Sequence, residues 1–257
     1  MMLDYDIDID PDIIQKLYPL LTAIKQYHNH EVIGLENIPQ SGRVILACNH
    51  SLATYDMALL FLEVYNKLGR IPRPLADHLF FKIPFLGEFI EEIGVVDGKQ
   101  ENAKKLLQNG QIVGVAPGGM REALRPSTER YQILWKKRLG FVRLALETET
   151  PIVMAVCPKA DDLYDVYHNP LTAWAYKKFK VPLFLASGIG FSPIPRKIKL
   201  VHFLSEALRP PKPKEDPVAF KRQLSRFHNK VVKKAQELIG EAITYRERSE
   251  RLSLSKK

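Results

Sequence analysis

Cysteine is scarce in this chain of 257 residues: Cys48 and Cys157 are the only two. Two cannot staple a disulfide scaffold, and both lie inside apolar runs where buried free thiols are ordinary, which points to a reducing compartment. No stretch reaches the eighteen or so uncharged apolar residues of a membrane span, the nearest being interrupted at Glu63, so a spanning helix is not expected. An Arg-rich or small-residue-terminated leader is also missing, since residues Asp4 to Asp12 alternate acidic and apolar side chains; export by a standard signal is not expected. There is no G-x-S-x-G turn to expose a serine nucleophile, although Ser51 adjoins a histidine, and a hydrolase is disfavoured accordingly. His28-Asn29-His30 has no downstream ligands at a recognisable spacing, so no metal site is expected and the tripeptide reads as an exposed helix end. Aromatic residues and lysines interleave around Trp174 without any RRM, KH, zinc or helix-turn-helix pattern, which argues against nucleic acid as a partner. Internal repeats are absent.

What is present is a chain with 46% hydrophobic residues, long enough to bury a large core as one domain with helical appendages. The formal charge of +9 is uneven: Arg209 to Lys257 holds 14 Lys and Arg against 6 Asp and Glu. Such a region either attracts anionic lipid head groups, nucleic acid or an anionic substrate such as a CoA ester, or is a solvated helix face.

The stretch Val44 to Asp56, VILACNHSLATYD, carries the strongest chemical signal. Five apolar residues fit a strand covered on both faces, the run stops at Asn49-His50, and Asp56 opens an apolar segment of helical length. Side chains six apart point to different faces of a helix, so His50 and Asp56 meet only across a turn. If they meet, the carboxylate fixes the imidazole tautomer and His50 is a general base. The alternative is plain helix-start chemistry, with Asn49 and His50 as caps and Asp56 complementing the dipole.

Elsewhere, Ile13, Ile14, Leu17, Leu20, Leu21 and Ile24 recur at three and four, giving an amphipathic helix over residues 11–27 that packs on the domain or lies on a bilayer. Leu79 to Ile90 crowds apolar residues, with Phe81, Phe85 and Phe89 on one helical face; it is core, an acyl-chain channel or a membrane-facing patch. Gly94-Val95-Val96, Gln111 to Ala116, Pro151 to Val156 and Ile198 to Phe203 read as strands. Helices are expected over Glu101 to Gln108, Lys136 to Thr148 and Val218 to about Ile239, with a stiff linker at Arg209 to Lys214 and a mobile tail beyond Arg246. Strand and helix alternation predicts an α/β sheet with covering helices. After the strand ending at Ala116 comes PGGMREALRP, where Gly118 and Gly119 let the backbone approach a ligand and exposed amides hold an anion or oxyanion; alternatively it is a tight turn with Arg121 and Glu122 as a surface ion pair.

Taken in order, a strand ending in NH, an acid shortly after, an apolar motif ending Gly-Val-Val, a strand ending PGG-x-RE and a strand PIVMAV resemble the glycerolipid (lysophospholipid) acyltransferase family. The branch is similar to mono- and diacylglycerol acyltransferases, and the resemblance covers about residues 32–210. It implies a central, mostly parallel mixed sheet flanked by helices, with residues 1–30 as an N-terminal amphipathic helix, 31–210 as the acyltransferase domain and 211–257 as a basic C-terminal helix and tail. It implies acyl transfer from acyl-CoA or acyl carrier protein to a lipid hydroxyl, with no cofactor beyond that co-substrate. His50 matches the catalytic histidine and Asp56 the acid that orients it, with five intervening residues where phosphate-acceptor enzymes usually have four. Pro117, Gly118, Gly119, Arg121 and Glu122 match the third motif, which in lysophosphatidate enzymes reads like FPEGTR, so Gly118 stands where those have glutamate. The second motif normally carries an arginine; here Lys99 is the charge available. The departures tilt the expected acceptor toward a neutral, mono- or diacylglycerol-like, or non-standard lipid, with a lysophospholipid as the other acceptor open, and Glu122 is expected to position Arg121. A membrane surface, the lipid acceptor and acyl-CoA are the expected partners, in a cytoplasmic protein peripherally bound to a membrane. A non-catalytic lipid-binding protein of the same fold is the alternative.

Overall fold

The computed structural model describes residues 11–167, 185–190 and 192–254. A seven-stranded mixed sheet forms its centre, built from β1 (Glu31–Ile33), β2 (Val44–Cys48), β3 (Arg73–Ala76), β4 (Val96–Asp97), β5 (Ile112–Val115), β6 (Ile152–Val156) and β9 (Val201–Leu204) in the order β1-β9-β6-β2-β5-β3-β4. Every adjacent pair is parallel except β6 with β9. β7 (Asp165–Tyr167) and β8 (Leu185–Ser187) form a separate antiparallel pair.

All five residues of β2 are buried, as a continuous apolar run between two parallel neighbours should be. Val44, Leu46 and Cys48 face α2 (Tyr55–Leu68), where Leu60 and Val64 meet them. Ile45 and Ala47 face α4 (Gln100–Gln108), α6 (Gly140–Glu147) and the last helix, α7 (Pro217–Leu254). α7 buries Leu224, Phe227, Val231, Ala235, Leu238 and Ala242, a stripe at spacings of three and four. Each large side chain in that stripe contributes about 1.5–3 kcal/mol by leaving water. Gly69, with φ of 63°, terminates α2 as its amide reaches back to the Tyr65 carbonyl at 2.8 Å.

Several expectations are corrected. The Leu79 to Ile90 stretch is not one helix: a 3-10 turn at Phe80–Lys82 ends before Pro84, Phe85 takes a left-handed φ of 62°, and α3 (Leu86–Glu92) starts afresh. Phe81, Phe85 and Phe89 therefore share no helical face. Nor is the stretch core, because Phe85 is 84% exposed and Leu79, Ile83 and Phe89 are about half exposed. α6 begins at Gly140 instead of Lys136, since Lys137 has a φ of 63° that a helix does not accept. α7 continues to Leu254, past the expected end near Ile239 and into the stretch beyond Arg246 expected to be a tail. His28 and His30 are buried, not an exposed helix end: Asn29, with φ of 42°, turns the chain from α1 (Pro11–Tyr27) into the sheet edge. The His28 Nδ1–H donates to the Ile198 carbonyl at 2.8 Å, which leaves Nε2 to accept from the Tyr55 hydroxyl at 2.8 Å. The aromatic and lysine cluster around Trp174 lies outside the described residues.

Candidate active site

Three neighbouring parallel strands, β5, β2 and β6, end side by side, and ligand crevices in α/β folds form at such carboxyl ends. β2 delivers Asn49 and His50. The Asn49 side-chain carbonyl accepts the Cys157 amide at 2.7 Å, stitching the end of β2 to the end of β6. The chain then turns through Thr54, with φ of 60°, before α2 begins. Asn49 and His50 cap nothing; the cap position is Thr54, and Asp56 sits in the first turn of α2.

The turn brings His50 and Asp56 to the same place without joining them. The Ser51 hydroxyl donates to Asp56 Oδ1 at 2.8 Å and accepts the Thr54 amide at 3.3 Å. The His50 ring is held instead by its neighbour's backbone, Nδ1 lying 2.9 Å from the Ser51 carbonyl. A carbonyl can only accept, so the proton sits on Nδ1 and the Nε2 lone pair is the free base. Burial lowers the His50 pKa, the Ser51 contact raises it less, and Arg125 lowers it further, so the ring stays neutral at neutral pH. Asp56 is fully buried, and burial lifts its carboxyl to about 6 against the opposing Ser51 hydrogen bond, with Asp161 adding to the rise. The direct ring-orienting contact expected of Asp56 is thus replaced by one that orders the Ser51 turn.

The second half of the site follows β5. Pro117 and Gly118 lead into α5 (Gly119–Ala123), where Gly119 has a φ of 54° and its amide donates to the Ala116 carbonyl at 3.0 Å. Gly118 is required for space: a Cβ there would come within 1.8 Å of Glu122 Oε2. The Glu122 carboxylate thus fills the room a side chain at position 118 would use. It does not position Arg121. Glu122 is wholly buried and accepts the Trp135 indole at 3.0 Å and the Leu134 amide at 3.3 Å. Burial raises its pKa to about 7 against the pull of Arg125 and those two donors. Arg121 points outward and pairs with Glu129 at 2.7 Å.

The arginine of this site is Arg125, which the sequence reading passed over. Its Nη2 donates to the His50 carbonyl at 2.7 Å, its Nε to the Glu122 carbonyl at 2.9 Å and its Nη1 to the Gln132 carbonyl at 2.5 Å. Glu122 at 3.5 Å and Asp161 at 3.4 Å balance its charge. The one available signal was its spacing of three from Glu122, which puts those two side chains on one face of a helical turn. Lys99 lies apart, paired with Asp97 at 2.9 Å. Burial pushes the Asp97 carboxyl up, but hydrogen bonds from Lys99 and His78 outweigh it and leave the pKa below its usual value.

Behind His50, Asp56 meets His202 of β9 and Cys157, all buried, their ligand-type atoms within 4.8 Å of one another. A carboxylate, a thiol and an imidazole can bind zinc. Here, however, Asp56 Oδ1 is already bonded to Ser51 and His202 Nδ1 to His30, and Asp56 Oδ2 and His202 Nε2 face each other across 3.8 Å.

In front of His50 lies a cavity of about 710 Å³, roofed by α1 through Ile13, Leu17 and Leu21 and floored by α2 and β5 through Phe61 and Gly114. Phe80 and Ile90, from the crowded apolar stretch, reach its wall. Among the described residues, His50 and Asp77 are its titratable non-phenolic lining and no lysine or arginine lines it.

The family model named Acyltransferase matches residues 29–157, which is 129 of 257 residues. The chain belongs to this acyltransferase family. The match contains both halves of the site. Among the chain's relatives, a Bos taurus protein named DGAT1/2-independent enzyme synthesizing storage lipids is 32% identical over 61% of this chain and 47% of its own length. Its Mus musculus counterpart of the same name is 31% identical over 71% of this chain and 53% of its own. The chain spans about half the length of these curated relatives. The crystal structure of the 1-acyl-sn-glycerophosphate acyltransferase PlsC from Thermotoga maritima aligns with a TM-score of 0.50 at 19% identity, covering 89% of this chain and 83% of that one. This last likeness is one of fold, in agreement with the mostly parallel mixed sheet and flanking helices expected from the sequence.

Proposed function

We propose that this acyltransferase moves a fatty acyl group from a thioester, acyl-CoA or acyl carrier protein, to the hydroxyl of a neutral glycerolipid. One observation carries the reading: an imidazole whose tautomer leaves Nε2 basic borders a large apolar cavity that no lysine or arginine lines among the described residues. His50 Nε2 takes the proton of the acceptor hydroxyl as its oxygen attacks the thioester carbon. The carbon–sulfur bond then breaks, and the proton passes from His50 to the departing thiolate. Of the oxyanion donors expected from the sequence, Gly119 is committed to Ala116 and Arg121 to Glu129, so the Gly118 amide is the one without an internal acceptor among the described residues. Asp56 orders the turn through Ser51, and its charge favours the imidazolium that forms.

The acyl chain fits the cavity by burial of its methylenes. A phosphate-bearing acceptor would need a cation, and Lys99, Arg121 and Arg125 are each engaged by carboxylates. That favours a mono- or diacylglycerol-like acceptor, and the names of the relatives accord with it. Exposed Leu79, Ile83, Phe85 and Phe89 lie beside the wall residues Phe80 and Ile90, which suits work at a membrane surface. Among the described residues no helix is long and apolar enough to cross a membrane.

The test is thiol release from acyl-CoA with monoacylglycerol, diacylglycerol or lysophosphatidate supplied in turn. Turnover should favour the neutral acceptors, and His50→Ala should lose about 10²–10⁴-fold while keeping its fold. Full turnover in that variant would remove His50 from the reaction. Lipid binding without any thiol release in the wild type would favour the non-catalytic reading.

A further inference from the structure

We propose that His202, on the last strand of the sheet, is a positioning residue for acyl transfer: it holds Asp56 from the side opposite Ser51, in a buried chain Ser51–Asp56–His202–His30. The inference rests on the reading of the His50 turn as the reacting site. Asp56 is buried, its Oδ1 is bonded to Ser51, and its Oδ2 has no hydrogen-bond partner. An unsatisfied carboxylate oxygen in the interior is costly. The group facing it is His202 Nε2, 3.8 Å away, and His202 Nδ1 is 2.8 Å from His30 Nε2.

The tautomers follow from what each atom faces. One of the two nitrogens in the His30–His202 contact carries the proton. If His202 Nδ1 carried it, its Nε2 lone pair would face a carboxylate and His30 Nδ1 would be a buried N–H with no acceptor, since Nδ1 of His30 has no partner. Orphaned N–H groups are rarer than orphaned lone pairs. In the other arrangement His30 Nε2–H donates to His202 Nδ1, His202 Nε2–H faces Asp56 Oδ2 across 3.8 Å, and what His30 leaves unpaired at Nδ1 is a lone pair. Two neutral rings thus pass a donor to the carboxylate. Burial drives the pKa of His202 well below its ordinary value and that of His30 to about 4, Lys25 and His28 adding to the latter, so neither ring charges in the working range. The groups around Asp56 itself are Asp161, Cys48, Cys157 and Tyr55; Asp161 opposes its ionisation, and both thiols and the phenol stay protonated because burial raises their pKa values.

His202 therefore favours the ionised form of Asp56, and the acid limb of kcat/KM reports it. In the wild type that limb combines the ionisation of Asp56, whose carboxyl burial lifts to about 6, with protonation of the base His50, whose own value burial lowers. His202→Phe keeps a ring and removes the donor, and should move the limb up by roughly one unit, with about a tenfold loss of kcat/KM below it. His202→Gln, which can place an amide N–H near the Nε2 position, should bring the limb back toward the wild type. Should the phenylalanine variant not fold, His30→Leu is read instead: it removes the proton that sets the His202 tautomer and should move the limb in the same direction by less. A folded His202→Phe, or in its place a folded His30→Leu, with an unmoved limb and only a lower Tm overturns the proposal. So does stoichiometric zinc in the purified wild type that is lost from His202→Phe, because the three side chains would then be ligands. His50→Ala, assayed in parallel, separates the two levels: retained turnover there defeats the site assignment itself, whereas an inactive His50→Ala beside an unmoved limb in His202→Phe defeats only the role of His202.

Discussion

At the scale of single residues, the site depends on groups held away from their usual protonation. Glu122 supplies the clearest consequence for stability. Its carboxyl has an ordinary value of 4.5 and is lifted to about 7 in the fold, mainly by burial. A raised carboxyl contributes stability that is complete below its unfolded value and is lost as pH rises through its folded one. Glu122→Gln removes that dependence, so its unfolding free energy should gain on the wild type by roughly 1–3 kcal/mol between pH 4.5 and pH 8. Urea titrations of both proteins across that range measure it. The buried histidines impose an opposite slope, but both proteins contain them and the difference cancels. A gap constant with pH would mean that Glu122 is ionised throughout. His50 was legible from the sequence because an apolar run stopped at it. Arg125 and Ser51 were not, because each acts on His50 through a backbone carbonyl, and no side-chain pattern announces a contact of that kind.

At the scale of elements, most of the fold was readable where local rules and burial agree. β2 is an unbroken apolar run and buries all its residues, Gly69 stops α2, and the glycines after β5 begin a tight turn. The reading failed where sequence-local rules were overruled. Phenylalanines at helical spacing lost their helix to Pro84 and a left-handed Phe85, and two histidines were pulled inside by partners about 170 residues away. α1 packs on the domain, one of its two expected fates, with Ile24 against the core and Lys25 paired to Glu63 of α2, and its Leu17 and Leu21 also line the cavity. That placement makes α1 a determinant of chain length. Leu21→Trp should fill part of the cavity and turn preference toward shorter acyl thioesters; losing room for two methylenes costs about 1.6 kcal/mol, close to tenfold in kcat/KM for long over short chains. A chain-length profile identical to that of the wild type would place the acyl group elsewhere.

At the scale of the whole molecule, exposed apolar surface and positive charge are both available for a lipid surface. Phe85 and Phe89 are exposed beside the cavity wall, and the chain carries a net charge of +9. The double change Phe85→Glu and Phe89→Glu should weaken vesicle association at least tenfold, given about 1.5–3 kcal/mol for each large apolar group no longer inserted, and leave the circular dichroism spectrum unchanged. Co-sedimentation with neutral and anionic vesicles at two salt concentrations measures it: apolar insertion persists at high salt, whereas attraction through α7 fades. Equal sedimentation of variant and wild type would move the docking face elsewhere.

The antiparallel seam also bears on how the protein is made. β9 lies between β6 and β1, and β1 has no other partner in the sheet. During synthesis a ribosome would therefore release His50, the glycine turn and the whole region matched by the family model well before the strand that completes the sheet and carries His202. Strand pairing over such a separation is slow to form. The nascent chain thus presents both halves of the candidate site before the strand that carries His202, and the helix that packs after it, have been made.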